Sequence, residues 1–309
     1  MTAIQNRYDF VYLFDCLDGN PNGDPDAANA PRLDPQTLQG IVSDVCIKRK
    51  VRNYVQQACC GNSERDIFIQ HHSPLNPRLD EACEKVGVDS YKQSDGTHDK
   101  KKAKARPTKE IRAIQKYLCG RYFDIRAFGG VLSTGPNAGQ IRGPLQLTFS
   151  RSINPVIASD LCITRIADVD KETEGEMGRK NLIPYGLYRC HGFINANLAQ
   201  EPNGTGFSEE DMALLWESLK MMFDHDRSAS RGTMASQMLT VFKHVGTDAD
   251  EKQRSTQAKL GCAPAHKLFE LIEVEKKAEN PRKYADYAVK TPSAGPLKEF
   301  PGVEVLRLL

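Results

Sequence analysis

The chain lacks any apolar run long enough to span a bilayer, so no helical membrane span is expected. Its opening residues, Met1 to Arg7, have no apolar core of the kind a secretory signal requires, and a cytoplasmic protein is expected. The nine cysteines form no Cys-x-x-Cys pair, and no His-x-His spacing of zinc-ligand type follows any of them. Neither a bound metal nor a disulfide is therefore expected. No charge sign dominates: 42 Lys and Arg against 40 Asp and Glu leave +2, so the balance does not announce a nucleic-acid binder. Aromatic residues are sparse at 7%, and there is no Lys/Arg-Gly-Phe run of the kind that stacks bases on a sheet. Backbone binding that tolerates any sequence is a better expectation than base reading. Apolar residues reach only 39% and mean hydropathy is −0.51, little core for 309 residues. Part of the chain must form surface-rich excursions.

Enzyme signatures are missing as well. There is no Gly-x-Ser-x-Gly, no His-Glu-x-x-His, and no Gly-x-Gly-x-x-Gly after the first strand. Gly130-x₄-Gly135 continues as Pro136-Asn137 where a phosphate-binding loop needs lysine. No cofactor is expected. His71 and His72 are neighbours, a spacing that points their rings apart on a helix or a strand alike.

What is present has clear periodicity. Tyr8, Phe10, Tyr12 and Phe14 alternate with Val11 and Leu13, a strand buried on at least one side. Turn formers fill Asp18 to Asp26. Pro35 then suits the first turn of a helix running from about 35 to 58. Periodicity fails from Cys59 to about Thr108, which reads as an elaborated insertion ending in a basic run, Lys100 to Arg106. Ile111, Ile114 and Leu118 restore helical spacing. Leu145, Leu147 and Phe149 alternate as a strand, and residues 155–192 form a long hairpin excursion with a charged tip from Asp168. Ser208 and Asp211 begin a helix striped by Met212, Leu215, Leu219 and Met222. Strands are predicted at Met238–Lys243 and Lys267–Glu273. Without its insertions the order suits an α+β, ferredoxin-like βαββαβ core.

Two patterns carry chemistry. Asp18, Asn20, Asn22 and Gly23 fit the first half of a calcium loop, but its twelfth position is Asn29 rather than glutamate and a strand precedes it, so an Asx-turn loop is expected instead. Asp24, Asp26 and Asp34 could hold Mg²⁺, or simply be solvated turn acids. The helix is more telling. Its stripe of Leu38, Ile41, Val42 and Val45 continues as Lys48, Arg49 and Arg52, passing from apolar to cationic along one face. This is either a solvated helix end or the wall of an anionic groove. Further arginines near glycines, Arg121, Arg126, Arg142, Arg227 and Arg231, favour a phosphate backbone as ligand.

The segments Tyr8–Asp26 (YDFVYLFDCLDGNPNGDPD) and Ser43–Tyr54 (SDVCIKRKVRNY) resemble the backbone subunit of the type I-C CRISPR Cascade. So do Phe123–Gly129 (FDIRAFG), Ile141–Ile153 (IRGPLQLTFSRSI) and Ile183–Tyr188 (IPYGLY). This is the Cas-seven family, Csd/DevR branch, of the RAMP superfamily, and the likeness spans about residues 7 to 245. It implies an RRM-like palm (about 7–58, 141–154 and 190–275), a finger insertion (59–140), a thumb β-hairpin (155–189) and a C-terminal tail (276–309). It further implies copies stacked in a helical filament along the CRISPR guide RNA, pairing of that guide with target DNA, other Cascade subunits, and a recruited helicase-nuclease. On this likeness Lys48, Arg49, Arg52, Arg126, Arg142, Arg227 and Arg231 would contact RNA. Met177 would be the thumb wedge, and Lys100, Lys101, Lys102, Lys104 and Arg106 would face DNA. Related subunits that cut target RNA use an aspartate after the first strand, so a metal-dependent endoribonuclease is the alternative to a subunit without catalysis.

Overall fold

The alternation from Tyr8 to Cys16 makes β1 (Tyr8–Gly19) the central strand of the molecule, buried on both faces rather than one. The computed structural model describes residues 2–164, 177–200 and 202–309. From β1 the chain turns through a short ribbon, β2 (Gly23–Asp24) and β3 (Ala30–Pro31), into β4 (Gln39–Val42) and helix α1 (Asp44–Ala58). The insertion holds α2 (Asn76–Lys85), α3 (Lys100–Lys104), α4 (Thr108–Arg121), α5 (Phe123–Phe128) and a ribbon of β5 (Gly129–Leu132) with β6 (Gly139–Arg142). Strands β7 (Leu145–Leu147), β8 (Ser150–Pro155), β9 (Ser159–Thr164) and β10 (Met177–Ile194) follow. Helix α6 (Glu209–Met221) leads into β11 (Thr233–His244), then α7 (Glu251–Leu260) and α8 (Ala265–Glu270). Short strands β12 (Glu273–Lys276), β13 (Tyr287–Lys290), β14 (Gly295–Pro296) and β15 (Val303–Arg307) close the chain.

β1 pairs with β10 on one side and β11 on the other, and β10 pairs in turn with β8, giving the order β11–β1–β10–β8 with every pairing antiparallel. One face of this sheet packs on α1 and α6 through Phe10, Tyr12, Phe14, Ile47, Val51 and Leu215. The other face, with Val11, Leu13, Phe242 and Val305 of β15, which pairs with β11, packs with Leu268 and Phe269 of α8 and Tyr287 of β13. Each such side chain contributes about 1.5–3 kcal/mol on burial. The stripe Met212, Leu215, Leu219 and Met222 is buried throughout, and Ser208 with Asp211 forms a reciprocal capping box that fixes where α6 begins.

Five expectations need correction. No helix starts at Pro35. The Asp34 carboxylate accepts the Gln36 and Thr37 N–H groups at 3.0 and 3.3 Å, imitating a helix cap, but the turn ends at Leu38 with φ +56°. Residues Gln39–Val42 then extend to pair with β8, and α1 begins at Asp44, so Leu38 and Val45 are exposed rather than part of a stripe. The insertion is not without order: Phe68, Leu79, Cys83, Ile114, Leu118 and Ile125 form a core of their own. Lys267–Glu273 is mostly helical, because Pro264 opens α8 and Leu268 and Phe269 turn into the same core. His71 and His72 meet edge to face, ring centroids 3.9 Å apart, since His72 takes a left-handed turn with φ +53° instead of helix or strand geometry. The strand through Leu145 and Leu147 also ends early: Phe149 is exposed, and the chain resumes pairing as β8.

Candidate nucleic-acid groove

Ile47, Val51, Tyr54 and Val55 lie at helical spacing and bury one side of α1. That orientation turns Lys48, Arg49 and Arg52 onto its flank, beside an open groove of about 770 Å³. The opposite walls are the loop after β1 (Asn20 to Asn29), the end of α5 (Phe128, Gly129) and the turn from Asp226 to Arg231. Asn22 fixes the first wall to the helix, its Oδ1 accepting both the N–H and the Oγ–H of Ser43 at 2.9 Å. Arg32, Lys48, Arg49, Lys50, Arg52 and Arg231 line the groove against a single lining carboxylate, Asp226.

These cations are held at defined positions. Lys48 Nζ reaches Asp44 at 2.7 Å and lies 5.7 Å from the centre of the Phe128 ring. Arg52 covers the same ring at 5.0 Å and gives its Nε–H to Asp124 at 2.8 Å. Arg49 gives Nη1 to the Ile69 carbonyl at 2.8 Å, and no carboxylate among the described residues pairs with it. Burial, then the neighbouring Arg52, pushes its pKa below the ordinary arginine value. Lys50, almost fully buried, and Arg231 both clasp Asp226. Six cations here meet four carboxylates, Asp24, Asp44, Asp124 and Asp226, and the remaining positive charge favours an anion in the open space.

The other expected contacts divide. Arg231 lines the groove. Arg142 is exposed and pairs in register with Gly129, on the groove's rim. Arg227 is exposed but engaged with Asp224 and the Met234 carbonyl, outside the lining. Arg126 is not available to RNA: it is buried, with Nε and Nη2 on Asp211 at 2.8 Å and Nη1 on the Cys119 and Gly120 carbonyls. Arg106 likewise does not face DNA. It is buried against Tyr91, donating to Pro136 and Asp89 carbonyls at 3.0 and 2.5 Å and to Glu110 at 3.1 Å. Lys100, Lys101, Lys102 and Lys104 are exposed on α3, whose first turn Asp99 caps. The hairpin tip, 165–176, lies outside the described residues. Met177 opens β10 opposite Thr164, and its side chain is outside them too. Asp24 pairs with Arg32 at 3.3 Å and Asp34 with Arg151 at 2.7 Å, which holds the Asp34 pKa below the usual range together with the turn N–H groups. Among the described residues, no group of three His, Cys, Asp or Glu side chains could hold a metal ion.

Sequence reasoning missed Lys50, Asp124 and Asp226. Lys50 and Arg52 are both buried and both line the groove, each held by a carboxylate distant in sequence, Asp226 and Asp124.

A family profile described as CRISPR-associated protein Cas7 matches residues 6–292. The chain belongs to the Cas7 family. A curated relative, the CRISPR-associated protein Cas7 of Haloferax volcanii (strain DS2), is 28% identical over 231 residues, covering 71% of this chain and 66% of the relative. The chain thus spans just under two thirds of that Cas7 protein's length. Two solved structures are also similar. A chain titled "CRISPR RNA-guided surveillance complex, pre-nicking" aligns with TM-score 0.49 and 15% identity, covering 84% of each chain. One titled "CRISPR RNA-guided surveillance complex" aligns at 0.40 and 12%, covering 81% of this chain and 74% of that one. Among the described residues no helix is long and apolar enough to cross a membrane.

Proposed function

We propose that this Cas7-family chain is the guide-RNA-binding backbone subunit of a type I-C Cascade surveillance complex, of the Csd/DevR branch. One observation carries the reading: six cations and one carboxylate, Asp226, line an open groove along α1, with Asp24, Asp44 and Asp124 pairing three of the cations from outside the lining. In this reading copies polymerise along the CRISPR guide RNA in the cytoplasm. They present its bases to target DNA, beside other Cascade subunits and a recruited helicase-nuclease. Specificity comes from base pairing, and the protein grips phosphates. The strand order β11–β1–β10–β8, with α1 and α6 on one face, supports a ferredoxin-like, RRM-like palm. Residues 59–140, with a core of their own, are the finger, and the β9–β10 ribbon is the base of the thumb. The four exposed lysines of α3 form a ridge suited to target DNA.

We read the subunit as a scaffold without catalysis, the Asp24 and Asp34 carboxylates each being engaged by an arginine. Incubating assembled complex with complementary RNA and Mg²⁺ tests this: periodic products abolished by Asp34→Ala would establish the endoribonuclease instead. For RNA binding, the wild-type chain should copurify with RNA and show a high 260/280 absorbance ratio. Lys48→Glu combined with Arg49→Glu should remove it. Arg52→Glu is left out because it would set a second carboxylate against buried Asp124. Nucleic-acid-free wild-type filaments would contradict the reading.

A further inference from the structure

The carboxylate of Asp124 is fully buried behind the groove and accepts three hydrogen bonds. Its Oδ1 takes the Phe68 N–H at 2.8 Å, and its Oδ2 takes the Ile69 N–H at 3.1 Å and Arg52 Nε–H at 2.8 Å. The Ile69 peptide is used at both ends, since its carbonyl receives Arg49 Nη1 at 2.8 Å. One carboxylate and one peptide therefore set two guanidinium groups side by side. Because Asp124 holds Arg52 through Nε, both terminal nitrogens of Arg52 keep their N–H groups, and Arg49 keeps Nε and Nη2. Two guanidinium charges share one carboxylate, leaving a local positive charge at the groove wall, and a planar fork suits a phosphate better than a point charge does.

We propose that Asp124 is a positioning residue which, with the Ile69 carbonyl, aims Arg49 and Arg52 at one phosphate of the bound RNA. This rests on the reading of the groove as an RNA site. It also joins RNA binding to the finger, because Phe68 and Ile69 are the insertion residues that Asp124 ties down.

The test is fluorescence anisotropy with a labelled single-stranded RNA of mixed sequence, titrated across a salt series. Wild type is compared with Asp124→Asn, Arg52→Lys and the double variant, each checked for folding by circular dichroism. Arg52→Lys keeps the charge but loses both the Nε–H bond and the fork, so the test survives if Asp124→Asn does not fold. Either single substitution should weaken binding about tenfold, the loss of one charge-assisted contact. Because Arg52→Lys keeps its charge, its salt dependence should stay near that of wild type while its affinity falls, which separates lost geometry from lost charge. The double variant should be no weaker than the singles, because both remove the same contact. Unchanged affinity in the folded variants, with wild type binding RNA, overturns the positioning role alone. Wild type that binds no RNA overturns the role and the reading beneath it.

Discussion

Asp124 and Arg126 flank Ile125 on one short helix, yet the ion pairs they make serve opposite ends. Arg126 spends Nε, Nη1 and Nη2 inside the protein, on Asp211 and two carbonyls, and welds α5 to α6. Arg52, also buried but part of the groove lining, spends only Nε among the described residues, on Asp124. Arg189 belongs with Arg126: its Nε meets His191 and its two terminal nitrogens meet the Ile272 and Phe269 carbonyls. On the proposed reading, an RNA-binding arginine is marked by what its internal contacts leave unspent. Neighbouring glycines do not mark it.

The comparison can be broken most forcefully at the welded pair. Arg126→Ala should lower stability by about 3–5 kcal/mol in chemical denaturation, because Asp211 keeps a buried charge without its partner. RNA affinity of the molecules that remain folded should not change. RNA loss with stability intact would erase the distinction. The groove side is next: Lys48→Glu with Arg49→Glu should abolish RNA copurification and leave the melting temperature nearly unchanged. Gly129→Ala tests the wall between the two regions. Its φ of +73° and a Cβ only 2.2 Å from the Ile141 oxygen should cost about 1–3 kcal/mol, read as a lowered Tm.

The smallest effect concerns pH at the Arg189 contact. Burial, then Arg189, depresses the His191 pKa to about 4 from an ordinary 6.5. Between those values the unfolded chain binds the proton and the folded chain does not, so stability should fall as pH drops through that window. His191→Phe, which keeps the ring stack on Phe269, should flatten the decline in Tm between pH 6.5 and 4.

Much of the fold was legible where burial follows period. β1, α6 and β11 were read from their alternation or their stripe, since both neighbours of each pattern are core. The start of α1 was misread because Asp34 caps a single turn as it would cap a helix, and the positive φ of Leu38 leaves no trace in composition. Helix α2 was missed because Leu79 is its lone large aliphatic, with Ala82 and Cys83 completing a weak stripe. At the groove, Lys48, Arg49 and Arg52 were named from a stripe, Leu38 to Val45, that the structure dissolves; they line the groove because Ile47, Val51, Tyr54 and Val55 bury another side of α1. Arg106 and Arg126 were misassigned because their partners, Pro136 and Asp211, lie far along the chain, and only the tertiary fold brings them together.

The central claim, that RNA lies in the α1 groove, meets its most direct test at Val45, which is 64% exposed and lines that groove. A photo-crosslinking benzoyl-phenylalanine replaces Val45 in one protein and Leu260, 65% exposed at the end of α7, in another. Irradiation of the purified assemblies should join RNA to residue 45 and leave residue 260 free of it. No crosslink at 45, or equal crosslinking at both positions, would contradict the account.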